Sequence, residues 1–233
     1  MPPAVNPTLI DPAAMHRERY DLIVFDWDGT LMDSTAAIAG AIQAACREMG
    51  LPVPSRENAS YVIGLGLDDA LRHAAPDLPH ADYPRLAACY RKHYFALDQE
   101  LTLFDGALDL LHELKSAGYS LAVATGKSRI GLSRAMDRPE LRGLFDATRT
   151  ADETFSKPHP AMLQELMAEL CSLPDRTLMI GDTTHDLEMA GNAGCDAVAV
   201  SYGAHGAAML DRLRPVALVH SVPELRAFFQ ARG

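Results

Sequence analysis

Four short stretches of the chain carry residues that could do chemistry together. Asp26-Trp27-Asp28-Gly29-Thr30 sets two carboxylates one residue apart. Thr125-Gly126-Lys127 brings a hydroxyl, and Ser156-Lys157-Pro158 brings an ammonium. Gly181-Asp182-Thr183-Thr184-His185-Asp186 adds two more carboxylates. If Asp26, Asp28, Asp182 and Asp186 pack together, they repel one another and take up protons unless they are neutralised. A hard divalent cation neutralises them, and oxygen-only ligands favour Mg²⁺. Lys157 supplies a fixed positive charge, Thr125 a hydroxyl, and the amides around Gly29 and Gly126 can donate to anionic oxygens. Carboxylates, cation, lysine and hydroxyl around an open position describe a phosphoryl-transfer site.

The elements that must position these groups are legible in the hydrophobic pattern. Short continuous apolar runs at 22–25, 121–124, 178–180 and 197–200 suit strands buried on both faces of a parallel sheet. Three of them end in a reactive stretch, and Ser156-Lys157 falls in a loop between the second and third. Helical periodicity lies between them. Ala107, Leu110, Leu111 and Leu114 follow the i, i+3, i+4, i+7 pattern before Gly118, and Leu163, Leu166, Met167 and Leu170 repeat it before Pro174. Strand alternating with helix predicts a doubly wound α/β core with right-handed crossovers, in which ligands bind beyond the carboxyl ends of the strands. From about 35 to 100 the alternation stops. Ile38, Ile42, Cys46 and Met49 form an apolar stripe with Ser34 or Thr35 as N-cap, a later helix is expected over 83–97, and Val62-Ile63-Gly64-Leu65-Gly66-Leu67 makes a glycine-containing bend between them. This reads as a helical insertion after the first strand. The chain thus divides into an arm at 1–19 rich in proline, a core at 20–34 and 101–233, and the insertion at 35–100.

Composition sets the bounds. The 233 residues are 48% hydrophobic and 22% charged, as in a soluble globular protein. The net charge of −10, with no cluster of Lys and Arg, argues against a nucleic-acid partner, yet leaves room for a small phosphorylated ligand whose sign a metal masks. No run approaches a membrane span of about 18 apolar residues, and the arm has no apolar signal segment. Cys46, Cys89, Cys171 and Cys195 are far apart and form no C-x-x-C pair, so they read as thiols in a reducing, cytoplasmic compartment.

The runs DWDGT, TGK, KP and GDTTHD, in that order, resemble the haloacid-dehalogenase superfamily, above all its aspartate-nucleophile phosphatases with a helical cap inserted after the first strand, phosphoglycolate phosphatase-like enzymes among them. The resemblance covers most of residues 20–220. It implies a Rossmann-like core and a Mg²⁺-dependent hydrolase acting on a small phosphomonoester, such as phosphoglycolate or a sugar phosphate; monomer and homodimer are both open. It implies that Asp26 attacks phosphorus and that Asp28 serves as acid and then base. Asp26, the backbone carbonyl of Asp28 and Asp182 would bind the metal, with Asp186 supporting them. Thr125, Gly126 and Lys157 would hold the phosphoryl oxygens. Many relatives carry Asn where this chain has Gly126, which leaves an amide but no side chain at that position. Specificity is expected from the cap, with Gly64, Gly66 and Arg72, or His73, near the substrate.

Other readings compete. A phosphomutase would keep the aspartyl-phosphate but usually differs where Thr30 stands. A receiver-like signalling domain also combines aspartates, Thr, Lys and Mg²⁺, but it carries its phosphorylated Asp on a middle strand and has no such insertion. A degenerate relative that only binds phosphate ligands would lack some of the core residues present here. Thr125-Gly126-Lys127-Ser128 ends like a nucleotide-binding P-loop, but Leu121 stands where that motif needs Gly. Gly64-Leu65-Gly66 lacks the third Gly of a dinucleotide fingerprint, and His112-Glu113 is followed by Ser116 where a zinc protease needs His. His185 and Trp27 read as packed side chains.

Overall fold

The computed structural model describes residues 19–97 and 100–230. Residues 1–18 of the expected arm, and 98 and 99 of the expected insertion, lie outside the described residues. The four apolar runs form β1 (Leu22–Phe25), β2 (Ser120–Thr125), β4 (Thr177–Gly181) and β5 (Asp196–Val200). Two short strands, β3 (Ala147–Thr150) and β6 (Ala217–Val219), complete a parallel sheet of order β3-β2-β1-β4-β5-β6. These two are the edge strands. Ala-Thr-Arg-Thr is too polar, and Ala-Leu-Val too short, to show as an apolar run.

The helices of the core are α5 (Ala107–Ser116), α6 (Arg129–Met136), α7 (Ala161–Glu169), α8 (Thr184–Ala193), α9 (Ala207–Asp211) and α10 (Val222–Gln230). Alternate residues of each strand point to opposite faces. Ile23, Phe25, Leu121, Val123, Leu178 and Ile180 pack with Leu111 and Leu114 of α5, Leu132 of α6 and Phe229 of α10. Leu22, Val24, Ala122, Ala124 and Met179 pack with Leu163 and Leu166 of α7 and with Leu187 and Met189 of α8. Covering both faces explains why the central strands read as unbroken apolar runs. Register then fixes the site: Phe25 is level with Val123 on one side and Ile180 on the other, so the residues following all three strands emerge at one edge.

Between β1 and α5 the chain forms α1 (Thr35–Glu48), α2 (Arg56–Tyr61), α3 (Leu67–Ala74) and α4 (Tyr83–Phe95). Ile38, Ile42 and Cys46 of the expected stripe are buried with Leu71, Leu86 and Tyr94 in a separate core. Met49 lies one residue beyond Glu48, and α4 stops at Phe95, two residues before the expected end. Ser34 precedes α1 without capping it; its hydroxyl donates to Asp28 at 2.8 Å instead. The chain leaves and re-enters the core side by side. Asp33 N–H donates to Thr102 at 3.0 Å, Phe104 N–H donates to Leu31 at 2.9 Å, and Met32 pairs antiparallel with Leu103.

Candidate active site

Asp26 follows β1 directly, and its N–H donates to Ile180 at 2.9 Å, which extends the β1–β4 pairing and holds the residue rigidly. The side chain is buried. Oδ1 accepts from Lys157 Nζ at 2.6 Å, and the same ammonium donates to Asp186 Oδ1 at 2.6 Å. Oδ2 is buried without a hydrogen-bond partner among the described residues. Burial pushes the Asp26 pKa up to about 7; Lys157 opposes the rise, and Asp186 and Asp28 add to it. Burial, with Asp26 and Asp186 nearby, also holds the Asp182 carboxyl well above the usual range. Burial works against the Lys157 charge, but Asp186 and Asp26 outweigh it and raise its pKa.

Asp26, Asp182 and Asp186 each offer a carboxylate oxygen, all within 4.8 Å of one another. Three buried carboxylates exceed the charge of one lysine, and one of them, Asp26, has an orphaned Oδ2. An oxygen-only donor set of this kind fits a hard divalent cation. Asp182 is fixed for the role: Oδ1 accepts from Thr30 Oγ1 at 2.9 Å and Oδ2 from the Ala204 N–H at 2.6 Å. Gly29, at φ +91°, makes room for it, since a Cβ there would lie 2.2 Å from Asp182 Oδ2. Asp186 is doubly engaged, bonding Lys157 through one oxygen while the other accepts from the Thr183 N–H and hydroxyl in a capping box at the start of α8.

Asp28 lies across a cavity of about 500 Å³ whose wall also includes Asp26, Thr125, Gly126, Gly64 and Gly66. Both Asp28 oxygens are 3.0 Å from Lys127 Nζ, and Lys127 also donates to the Tyr94 hydroxyl at 2.9 Å. The sequence pattern carries Lys127 in the TGK run and in a failed nucleotide loop but gives it no role of its own. Its signal, a lysine two residues past a strand-end threonine, needed Tyr94 of α4 to acquire meaning. Thr125 is buried, and its Oγ1 accepts from the Lys127 N–H at 3.2 Å.

The insertion closes directly over these groups. A Cβ on Gly126 would lie 2.3 Å from the Leu65 carbonyl oxygen and 2.5 Å from that of Gly64, so the bend rests on bare backbone. The Gly66 N–H donates to Ser156 Oγ at 2.8 Å. A second contact was not foreseen: the Tyr61 carbonyl at the end of α2 stands 3.0 Å from Nε2 of both His185 and His205, and the Tyr61 ring stacks on His205. Arg72 is not brought to the cavity. Its guanidinium stacks on Tyr83 and reaches His80 at 3.0 Å, because it projects from the side of α3 opposite the buried Ala70 and Leu71. His73 is likewise exposed and bonds the Asp69 carbonyl. Trp27 packs edge-on to Phe145 in the main core.

Comparison with known proteins adds sequence and structural relatives. The model of the haloacid dehalogenase-like hydrolases matches residues 23–200. "Probable phosphatase IndB" of Dickeya dadantii is 35% identical over 88% of this chain and 91% of its own. "Tyrosine-protein kinase PtkA" of Mycobacterium tuberculosis is 32% identical over 90% of this chain and 72% of its own. The crystal structure of "a predicted phosphoglycolate phosphatase" from Haemophilus somnus superposes with a TM-score of 0.81 at 25% identity, covering 91% of this chain and 98% of that one. Among the described residues, no helix is long and apolar enough to cross a membrane.

Proposed function

The chain belongs to the haloacid dehalogenase-like hydrolases, and from that premise we propose that it hydrolyses a small phosphomonoester through an aspartyl-phosphate formed on Asp26. The observation that carries the reading is the unpartnered, buried Oδ2 of Asp26, a residue that lines the same cavity as Asp28. Lys157 holds the other Asp26 oxygen, so one atom is oriented and the second is available for attack.

In the first step Asp26 Oδ2 bonds to phosphorus, the P–O bond to the alcohol breaks, and Asp28, which must take up a proton in the substrate complex, gives that proton to the leaving oxygen. In the second step Asp28, now a carboxylate, takes a proton from water. The resulting hydroxide bonds to phosphorus, the Asp26–phosphorus bond breaks, and inorganic phosphate departs. The Thr125 hydroxyl, the amides near Gly126 and the Lys157 ammonium would take the charge on the phosphoryl oxygens. Asp26, the Asp28 backbone carbonyl and Asp182 would hold Mg²⁺, which supplies positive charge beside the phosphoryl group. The helical insertion serves as the cap, excluding water during the first step, and the paired linkers at 31–33 and 102–104 are its hinge.

The test is phosphate release from a phosphomonoester with Mg²⁺ and with excess chelator. Equimolar alcohol and phosphate, abolished by the chelator, support the reading. A second phosphate ester formed without free phosphate would show transfer to another hydroxyl, as a phosphomutase performs, and would contradict it.

A further inference from the structure

Resting on the phosphatase reading, we infer that the substrate is a phosphate ester of an alcohol bearing an apolar or aromatic group, and that this cavity selects against phosphoglycolate and other esters with a second anionic group. The cavity of about 500 Å³ has the capacity of a site that encloses a whole drug-sized molecule. A glycolate leaving group would fill only a small part of it. The apolar side chains left accessible in its wall are Leu65 and Leu67 from the bend, Tyr90 and Phe95 from α4, and Phe155 from the loop before Lys157. Phe155 is 65% exposed although it lines the cavity. Apolar surface of this kind is stabilised when a ligand covers it and removes it from water.

The polar atoms of the wall point the same way. Ser156 accepts from Gly66, Thr154 donates to Glu165, Asp152 accepts from Thr150 and from the Arg129 N–H, and Lys127 is bonded to Asp28 and Tyr94. These four already have protein partners, so sugar hydroxyls meet engaged groups along this part of the wall, and the polar groups left over are the charged Asp68, Asp69 and Arg91. Charge discriminates further. Away from the phosphoryl end, where Lys157 pairs with Asp26 and Lys127 with Asp28, the wall carries Asp68, Asp69 and Asp152 against Arg91. Mg²⁺ and Lys157 serve the phosphoryl end, so a distal carboxylate faces an acidic surface.

The experiment compares 2-phenylethyl phosphate, phosphoglycolate and glycerol phosphate, all esters of primary alcohols, with acetyl phosphate as a probe of the chemistry alone. The expected kcat/KM for the phenylethyl ester is at least about tenfold above both others, a difference of about 1.4 kcal/mol. Phe155→Ser should raise KM for that ester several-fold while changing kcat little, and should affect glycerol phosphate less. Preference for phosphoglycolate or glycerol phosphate, or an equal effect of Phe155→Ser on both esters, overturns the inference and leaves the phosphatase reading standing. No turnover of acetyl phosphate or of any ester overturns the phosphatase reading, and the inference with it.

Discussion

Asp26, Asp28, Thr125, Lys157, Asp182 and Asp186 were legible because each follows a buried strand closely or lies in a loop at the same edge, and a parallel sheet delivers such residues to one place. Lys127 and His205 were not legible, because each makes its contact with a residue of the insertion, 33 and 144 positions away. Arg72 failed for a different reason: proximity in sequence to the bend says nothing about which side of α3 it occupies. Asp26→Asn should retain the fold and lower kcat by roughly 10³-fold or more, since the nucleophile acts as a unit with its partners; activity within tenfold of wild type in the purified variant would refute its role. Lys127→Met leaves Asp28 without the cation that touches both its oxygens. Turnover should fall by about tenfold or more, up to the roughly 10²–10⁴ that general acid–base catalysis contributes. An unchanged kcat and pH profile would show that Lys127 serves only packing.

The elements carry the coupling between core and insertion. Strand and helix order followed from periodicity, whereas β3 and β6 were hidden because edge strands need fewer apolar residues. The bend at Gly64–Gly66 was read as approaching the phosphoryl site, and its carbonyls rest on Gly126. That contact gives a physical reason for glycine at this position: any side chain would collide with the Gly64 and Leu65 backbone. Gly126→Ala should therefore force the bend back by about 1 Å to reach ordinary contact. A displacement of that size at a reacting centre costs up to about 10²-fold in rate. The expected loss is tenfold or more in kcat/KM for every ester, with a lowered thermal midpoint because backbone must move. Undiminished kcat/KM would show that turnover does not need the bend seated on Gly126.

For the whole molecule, the buried carboxylates tie stability to pH and metal. A carboxyl whose pKa is higher in the folded than in the unfolded chain stabilises the fold in its protonated form. For Asp26 that contribution is complete below the ordinary value of 3.8 and is lost as pH rises through about 7. Asp182 shifts in the same direction. The metal-free protein should therefore lose thermal stability between pH 5 and pH 8. Mg²⁺ binds the ionised cluster, so its stabilising increment should be larger at pH 8 than at pH 5. Equal increments at the two pH values, measured by thermal unfolding with and without chelator, would contradict a metal site built on these carboxylates.

The central claim is the covalent bond between Asp26 and phosphorus. Acetyl phosphate has a leaving group that needs little acid assistance, whereas hydrolysis of the intermediate still needs a base. In Asp28→Asn, supplied with acetyl phosphate and Mg²⁺, the intermediate should accumulate. Borohydride reduction of the quenched protein, followed by peptide mass analysis, should find homoserine at position 26. Homoserine at another aspartate instead, or unmodified Asp26 in a variant that still releases phosphate, would contradict the account.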